Sequence, residues 1–508
     1  MRTVAGNTDH VVVVGAGLAG LSAALHLAGR GRAVTVVERD AVPGGRAGRH
    51  DAGGYRLDTG PSVLTMPEIV ADTLAAVGEN IGDRLELHPV APAYRAHFAD
   101  GSRLEVHSDA AAMEDTIFEF AGAGAVAGYR KLRCWLTELY RVEFDRFIAS
   151  NFDSPLSLLN PALARLVALG GFRSMDRAIG QFFTDPRLQR VFTFQSLYAG
   201  VSPQRALALY AVIAYMDTVG GVYFPRGGMR ALPDALAAAA RDAGVVFHYD
   251  RTVTELERRG PRVTAVHTAD GQRIASDAVV VATELDTAYR LLGRRPRRPG
   301  RIQPAPSALV LHAGMPAGAA TAHHSVLFGD AWTSTFDELI SRGELMRDPS
   351  LLVTRPTASD PSLAPAGRDL YYVLAPVPNL ERSPHLGWQH RARSYSRELA
   401  EIVDRRLVPG FAEHAEIVHL MSPIDWARQG MRAGTPFSLA HTFAQTGPFR
   451  PANLPRGVSN AVLAGCGTVP GVGVPTALLS GRLAADRITG VRAATARTTL
   501  AHATSSWP

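Results

Sequence analysis

The tightest constraint in this sequence is a glycine-rich turn close to its amino terminus. Val11 to Val14 form a β-branched run typical of a buried parallel strand, and Gly15, Gly17 and Gly20 follow it with the spacing GxGxxG. The first glycine permits a tight turn, the second lets the backbone approach a pyrophosphate, and the third lets the next helix pack against the strand. The stretch therefore predicts a dinucleotide bound by a βαβ unit.

The residues after the turn complete this unit. A second strand, Ala33 to Val37, ends at Glu38, whose carboxylate is placed to accept hydrogen bonds from the ribose hydroxyls. The first N–H groups of the intervening helix face the phosphate charge. The Gly-Gly-Arg sequence that follows favours FAD over NAD. We predict that the dinucleotide contacts Gly15, Gly17, Leu18, Ala19, Gly20, Glu38, Arg39, Gly45 and Arg46.

The end of the chain mirrors its beginning. Residues 461–487 are predicted to form a strand, a glycine-rich loop and a helix. Gly465 and Gly467 permit close approach of a ligand, and a helix that begins near Val474, with Pro475 in its first turn, directs N–H groups at that ligand. Such a helix end stabilises the negative charge that a flavin gains on reduction.

Composition excludes several classes of protein. The chain has 508 residues, 46% of them apolar and 20% charged, which is typical of an ordinary globular protein with two domains. Two cysteines, Cys134 and Cys466, are too few for a disulfide framework or a zinc site, and we predict no bound metal. Neither a secretory signal nor a spanning apolar run is found, which predicts a cytoplasmic protein.

Much of the net charge of +6 lies in the segment 294–301, RRPRRPGR. A solvated linker is one interpretation of this segment, and contact with anionic lipid headgroups is another. Because no aromatic residues are interleaved with the arginines, nucleic acid is not a predicted partner.

One stretch of the chain is unusually apolar. Ser154 to Leu169 carries only Arg165 as a charged residue, and a helix that is apolar nearly all round must be buried or lie in lipid. Its two prolines favour insertion into one leaflet, or the wall of an apolar tunnel, over a membrane span. Ordinary core packing remains open as an alternative.

The first unit resembles the amino terminus of flavin amine oxidase-like proteins, and the closing GCGTVPGVGVP motif is similar to that of bacterial phytoene desaturases and related carotenoid desaturases. Internal matches to the same family are FPRGGM at 224–229, AHHSVLFG at 322–329 and SLAPAGRDLYYVLAPVPNL at 362–380. The resemblance covers residues 10–490. It implies an α/β fold, with a Rossmann-type FAD-binding domain of the GR2-like flavoproteins and an inserted α+β substrate domain that contains a helical membrane-associating region.

The resemblance also implies domain boundaries. The expected parts are a disordered amino terminus (1–9), three FAD-binding parts (10–70, 225–292 and 455–490), two substrate-domain parts (71–224 and 293–454) and a flexible tail (491–508).

Further cofactor contacts come from the resemblance. The family's matching loop lies beside the flavin ring, which implies contacts from Gly60, Pro61, Ser62 and Val63, and a valine that touches adenine through its backbone corresponds to Val253. The family binds FAD without a covalent bond. No catalytic acid or base is assigned, and Arg226, in the FPRGGM motif, is a weak candidate.

The implied activity is stepwise dehydrogenation of 15-cis-phytoene towards neurosporene or lycopene, with hydride transfer to flavin N5. The implied partners are a lipophilic polyene, the inner face of the cell membrane and, as electron acceptor, a quinone or dioxygen. A homo-oligomer is left open. Alternatives are a desaturase, isomerase or ketolase of another polyene, and a soluble flavin oxidase of amines.

Overall fold

The computed structural model describes residues 1–295 and 301–491, which form a mixed α/β fold. The strands are, in chain order, β1 (His10–Val14), β2 (Ala33–Val37), β3 (Arg49–Ala52), β4 (Tyr55–Asp58), β5 (Leu87–Pro89), β6 (Tyr94–His97), β7 (Arg103–Val106), β8 (Tyr223–Pro225), β9 (Val246–His248), β10 (Val253–Arg259), β11 (Arg262–Thr268), β12 (Arg273–Ala275), β13 (Ala278–Val281), β14 (Ser307–Pro316), β15 (His324–Leu327), β16 (Leu351–Thr354), β17 (Arg368–Val377), β18 (Glu416–Met421) and β19 (Ala461–Leu463).

The α-helices are interleaved with these strands, and short 3₁₀ turns connect several of them. The helices are, in chain order, α1 (Leu18–Ala28), α2 (Pro67–Ala75), α3 (Ile81–Arg84), α4 (Ala110–Glu143), α5 (Pro161–Ala168), α6 (Met175–Gly180), α7 (Pro186–Val191), α8 (Val212–Thr218), α9 (Ala231–Asp242), α10 (Leu285–Leu291), α11 (Thr333–Phe336), α12 (Trp388–Arg406), α13 (Phe411–His414), α14 (Pro423–Arg428) and α15 (Val474–Thr489).

The first sheet is parallel throughout, with the strand order β19-β13-β1-β2-β9. Its central strand β1 is covered on both faces, which explains why Val11, Val12 and Val13 are all fully buried. The strands come from the beginning, the middle and the end of the chain. The three parts predicted to form the FAD-binding domain therefore contribute strands to one sheet, while the exact domain boundaries stay a prediction.

Two glycines allow the helices to pack closely on this sheet. A Cβ atom on Gly20 would lie 1.9 Å from the carbonyl oxygen of Gly15, so α1 could not approach the turn with any larger residue. A Cβ atom on Gly481 of α15 would lie 2.3 Å from the carbonyl oxygen of Ala19. The first and last helices of the fold are thus in direct backbone contact.

The second large sheet has the order β18-β14-β17-β16-β15-β6-β7. All its pairs are antiparallel except β15 with β6, so the two predicted substrate parts of the chain also meet in one sheet. The buried side chains of α12, including Trp388, Tyr395 and Leu399, pack against one face of it. Its other face is turned towards the cavity described below.

The chain between residues 110 and 169, which includes the apolar stretch expected to be helical, is divided into several short elements after α4. Helix α4 has a non-helical residue at Gly122 (φ 79°) and passes into a π-turn at Phe144–Ile148. Only eight residues of the apolar stretch form an α-helix, α5, which begins after the capping residue Asn160. The stretch 154–169 is therefore not one helix, because Pro155 and Pro161 lack the N–H group that a helix interior requires, and each begins a short helix of its own.

The expectation of a disordered amino terminus also needs correction. The Val4 N–H donates to the carbonyl oxygen of Arg487, and the Arg2 N–H donates to Asp153. Val4 is buried against the sheet and helix core. The segment 1–9 is thus held by backbone bonds that its composition does not reveal. Residues 296–300 of the arginine-rich segment, and the tail from 492, lie outside the described residues.

Within residues 1–295 and 301–491, no helix has both the length and the apolar composition that crossing a bilayer requires.

We expect Asp58 to hold the hairpin β3-β4 to the segment before α9. Its carboxylate accepts hydrogen bonds from the N–H groups of Met229 (2.7 Å) and Arg230 (3.0 Å). Asp58→Ala would leave two buried donors without a partner and cost about 2–4 kcal/mol of unfolding free energy. Chemical denaturation followed by circular dichroism measures this loss. Asp51→Ala, at an exposed position on the same hairpin, is the control, and an equal loss in both variants would contradict the assignment.

Candidate functional site: a cofactor cleft continuous with an apolar cavity

A cavity of about 1110 Å³ runs along the carboxyl edge of the parallel sheet. Each of four strands ends at its wall, β1 at Val14 and Gly15, β2 at Val37 and Glu38, β13 at residues 282–284 and β19 at residues 465–467. This edge is where parallel α/β sheets bind ligands, because the loops there leave a crevice between the covering helices.

Most of the predicted cofactor residues line this cavity, although their contact with FAD stays a prediction. Gly20 does not line it and acts through the close helix packing described above. The lining residues among those predicted are Gly15, Gly17, Leu18, Ala19, Glu38, Arg39, Gly45, Arg46, Gly60, Pro61, Ser62, Val63, Val253, Gly465, Gly467, Val474 and Pro475.

The structure does not support Arg226, the weak catalytic candidate, because its side chain lies outside the cavity. Its guanidinium is exposed and pairs with Glu86 at 3.0 Å, and the residue does not line the cavity. The backbone of the FPRGGM segment, and not its arginine side chain, makes the contacts that hold this part of the fold together. The Gly227 N–H donates to Asp360, and Gly228 (φ +86°) sits against Asp58.

Glu38 is buried at the carboxyl end of β2. One of its carboxylate oxygens accepts from the Ala16 N–H at 2.5 Å and the other from the Asp40 N–H at 3.0 Å. Burial raises the pKa of Glu38, and these two N–H groups partly offset that rise. The carboxylate is therefore held in one orientation at the cavity wall, as recognition of a ribose requires.

Arg46 and Glu284 form an ion pair at the cavity wall. Burial lowers the pKa of Arg46, but the neighbouring Glu284 and Cys466 more than offset it, so the guanidinium stays charged. Glu284 was not predicted from the sequence. Its position directly after the buried strand β13 was the available signal, since the carboxyl ends of parallel strands share one edge.

The loop Gly60–Val63 reaches the cavity between the two sheets. A Cβ atom on Gly60 would lie 1.9 Å from the carbonyl oxygen of Arg46, so the loop and the Gly-Gly-Arg segment are in backbone contact. The Tyr372 hydroxyl of β17 donates to the Gly60 carbonyl at 3.2 Å. The seven-stranded sheet is therefore bonded directly to the loop predicted to lie beside the flavin ring.

Away from the glycine-rich edge the cavity becomes apolar. The region 147–172 contributes one wall, which supports the tunnel-wall interpretation of the apolar stretch, and the seven-stranded sheet contributes the opposite wall. The residues involved include Phe147, Ile148, Leu158, Leu163, Leu166 and Phe172 on one side and Val310, Val326, Leu352 and Leu374 on the other.

Some polar side chains also line the cavity, among them Tyr94, Tyr198, Tyr210 and His441. His324, the first residue of β15, lines it, whereas its neighbour His323 does not. Burial lowers the pKa of both imidazoles, that of His323 to about 3, so both are neutral. Two carboxyl groups that sequence analysis missed, Glu143 and Asp217, also line the cavity. In the described ranges no three His, Cys, Asp or Glu residues are grouped to hold a metal ion.

The glycine-rich edge fits a flavin dinucleotide. A Cβ atom on Gly17 would meet no atom within 4 Å, so the turn presents bare backbone to open space in the cavity. Gly17, Glu38 and the first turn of α15 would hold the pyrophosphate, the ribose and the flavin end respectively. When bound, FAD supplies the hydride acceptor for the reaction.

Comparison with known proteins agrees with this site. The family model for flavin containing amine oxidoreductases matches residues 18–489. The chain belongs to this family. It is 62% identical to a phytoene dehydrogenase of Streptomyces griseus, over 98% of each chain. It is also 36% identical to a zeta-carotene-forming phytoene desaturase of Myxococcus xanthus, over 94% of this chain and 93% of the other.

The predicted relationship to the carotenoid desaturases is thereby confirmed, as are the flavin cofactor and the oxidoreductase class. Among solved structures, an oxidoreductase from Methanosarcina mazei superposes with a TM-score of 0.62 over 93% of this chain and 99% of the other, at 16% identity. At that identity the likeness concerns the fold alone.

We expect Gly17→Val to lose flavin without loss of folding. The new side chain enters open space in the cavity and excludes the pyrophosphate from the backbone, so the flavin-to-protein ratio should fall about tenfold or more. Visible absorbance of the purified protein measures this ratio, and circular dichroism monitors folding. Gly124→Ala, at another glycine with open space around it, is the control. Full flavin content in Gly17→Val would contradict the assignment.

Proposed function

We propose that this protein is an FAD-dependent carotenoid desaturase that dehydrogenates 15-cis-phytoene stepwise towards neurosporene or lycopene. The observation that carries the proposal is the continuity of one cavity, from the glycine-rich edge of the parallel sheet to walls of apolar side chains. The desaturase activities named for the two relatives support the same substrate class.

A hydrocarbon substrate suits the apolar walls of this cavity. Phytoene has no carbonyl or amine to polarise, so the protein must hold the chain against the hydride acceptor and exclude water. The walls around Phe147, Leu166 and Val310 serve that purpose. Electrons then leave to a quinone or to dioxygen, and the quinone would reach the site from the same membrane as the substrate.

The substrate class is tested by expression in a bacterium that accumulates 15-cis-phytoene. Chromatography of the extracted pigments should show chromophores with more conjugated double bonds than phytoene, and their absorption bands count the desaturation steps. An empty vector is the control, and the flavin content of the purified protein shows that it is folded. Unchanged phytoene in cells that contain flavin-loaded protein would overturn the proposal. Oxidation of an amine by the same protein would favour the amine oxidase alternative.

We also propose that the protein docks on the inner face of the cell membrane through the apolar rim, defined here as Leu156, Leu159, Val167, Phe172 and Phe443. Leu156 and Leu159 are each 73% exposed and Val167 is 58% exposed. Phe172 and Phe443 are exposed and also line the cavity, so the rim lies at its mouth.

The apolar rim is better suited to contact with a membrane than with water. Large apolar side chains clustered at the opening of a cavity are unfavourable in water and favourable in acyl chains. Arg165 and Arg173 lie exposed within the same region, where they would face anionic headgroups. A substrate dissolved in the bilayer could then enter without crossing water.

We expect the double variant Leu156→Asp/Leu159→Asp to bind anionic liposomes about a hundredfold more weakly. Two leucines that no longer enter the acyl region remove about 3 kcal/mol of transfer free energy, and the new charges add to the loss. Co-sedimentation at low salt measures the partition. Val246→Asp, which places a charge at a similarly exposed residue of the edge strand β9, should bind as the parent does. Equal binding by all three proteins would refute docking through the rim.

A further inference from the structure

The cavity contains an acidic side chain to which neither the cofactor nor the docking surface assigns a role. Asp217 lies on α8 and lines the cavity beside Ile213, Met216 and Val222. The side chain of Gln195, whose amide N–H donates to the Val191 carbonyl at 3.2 Å, offsets part of the effect of burial on the pKa of Asp217. Among the residues that the structure describes, no cation forms an ion pair with it. Burying a carboxylate costs free energy unless a cation or hydrogen bonds stabilise its charge, so a carboxyl group at this position calls for an explanation.

Asp217 shares the cavity wall with the tyrosines Tyr94, Tyr198 and Tyr372. Its electrostatic neighbours are the hydroxyls of Tyr94, on β6, and Tyr198. Tyr198 is in turn a neighbour of Tyr372, whose hydroxyl donates to the Gly60 carbonyl at 3.2 Å. Asp217 thus lines the same cavity as Tyr372, which is hydrogen-bonded to the loop predicted to lie beside the flavin ring.

The backbone connects the same two regions. Strand β8 begins six residues after Asp217, and Tyr223 exchanges two hydrogen bonds with Leu64, of 2.8 and 3.1 Å. The Leu64 backbone directly follows the segment Gly60–Val63. The strand that follows α8 is thus hydrogen-bonded to the residue that follows the predicted flavin loop.

Desaturation needs a proton acceptor inside the cavity, within reach of the substrate chain. Formation of one C=C bond removes a hydride from one carbon and a proton from its neighbour; the hydride goes to the cofactor, and the electron pair of the second C–H bond becomes the π bond. The proton must go to a group that reaches the chain, because the apolar walls keep bulk water away.

We propose that Asp217 is the catalytic base that accepts this proton from the substrate chain. The inference rests on the proposed function, since an amine substrate would bring its own basic nitrogen. The proton remains on the carboxyl group until the two-electron acceptor, a quinone or dioxygen, takes it together with the hydride equivalent.

The ionisation of Asp217 suits this role better than that of the other buried carboxyl group. Burial raises the pKa of Asp217 to about 7, so an appreciable fraction is ionised at neutral pH. Burial raises the pKa of Glu143 well above its usual range, and one of its carboxylate oxygens has no hydrogen-bond partner, so Glu143 stays protonated. The phenols of Tyr94 and Tyr198, which face Asp217, also have raised pKa values and remain neutral.

The test is the variant Asp217→Asn, assayed with phytoene in liposomes under anaerobic conditions. The rate of flavin bleaching, which reports the chemical step, should fall about 10²- to 10⁴-fold. Flavin content and the amount of phytoene bound per flavin should stay as in the parent. The rate in the parent should rise with pH through about 7, because only the carboxylate accepts a proton, and this rise should disappear in Asp217→Asn.

Three comparison variants separate this role from a structural one. Asp217→Glu should recover part of the rate together with its pH dependence. Glu143→Gln should keep the pH dependence, and Asp115→Asn, at an exposed residue of α4, should match the parent. A parent that bleaches with phytoene while Asp217→Asn keeps its rate would overturn the role of Asp217 alone. A flavin-loaded parent that does not react with phytoene would overturn the proposed function, and this inference with it.

Discussion

The carboxyl edge of the five-stranded parallel sheet is the constraint on which the rest of the structure depends. A parallel sheet covered on both faces leaves a crevice for a ligand only where its strands end. Gly15, Glu38, Glu284 and Gly465 all stand at that edge, although they are distant in the chain. The cavity, its glycine-rich wall and the position of the second sheet above it all follow from this arrangement.

Burial then decides which groups in the cavity carry charge. Desolvation raises the pKa of Glu38 and Glu143 and lowers the pKa of His324, so each is less charged than it would be in water. The charged pair Arg46–Glu284 lies at the cofactor side. A cavity that is nearly neutral away from the dinucleotide suits an uncharged hydrocarbon, because no charge has to lose its hydration when such a chain enters.

The errors of sequence analysis concern residues whose partners lie far away in the chain. The amino terminus consists mainly of small and polar residues, yet the Val4 N–H is hydrogen-bonded to the carbonyl oxygen of Arg487. Arg226 belongs to a motif that fits the family, but its side chain turns outward to Glu86. The apolar stretch does line the cavity, as the tunnel interpretation expects, although prolines divide it into short turns and α5. Composition and motif cannot show these distant contacts or the direction of a side chain.

The sequence by itself determined the βαβ unit, the flavin and the resemblance to the carotenoid desaturases, because glycine spacing and β-branched runs act locally and need no distant partner. Only the tertiary structure decided that Glu284 pairs with Arg46, that Leu156 and Leu159 are exposed, and that Asp217 lines the cavity. Charge and burial at those positions depend on which chain segments meet. That is a property of the packed sheets and helices, and no local pattern encodes it.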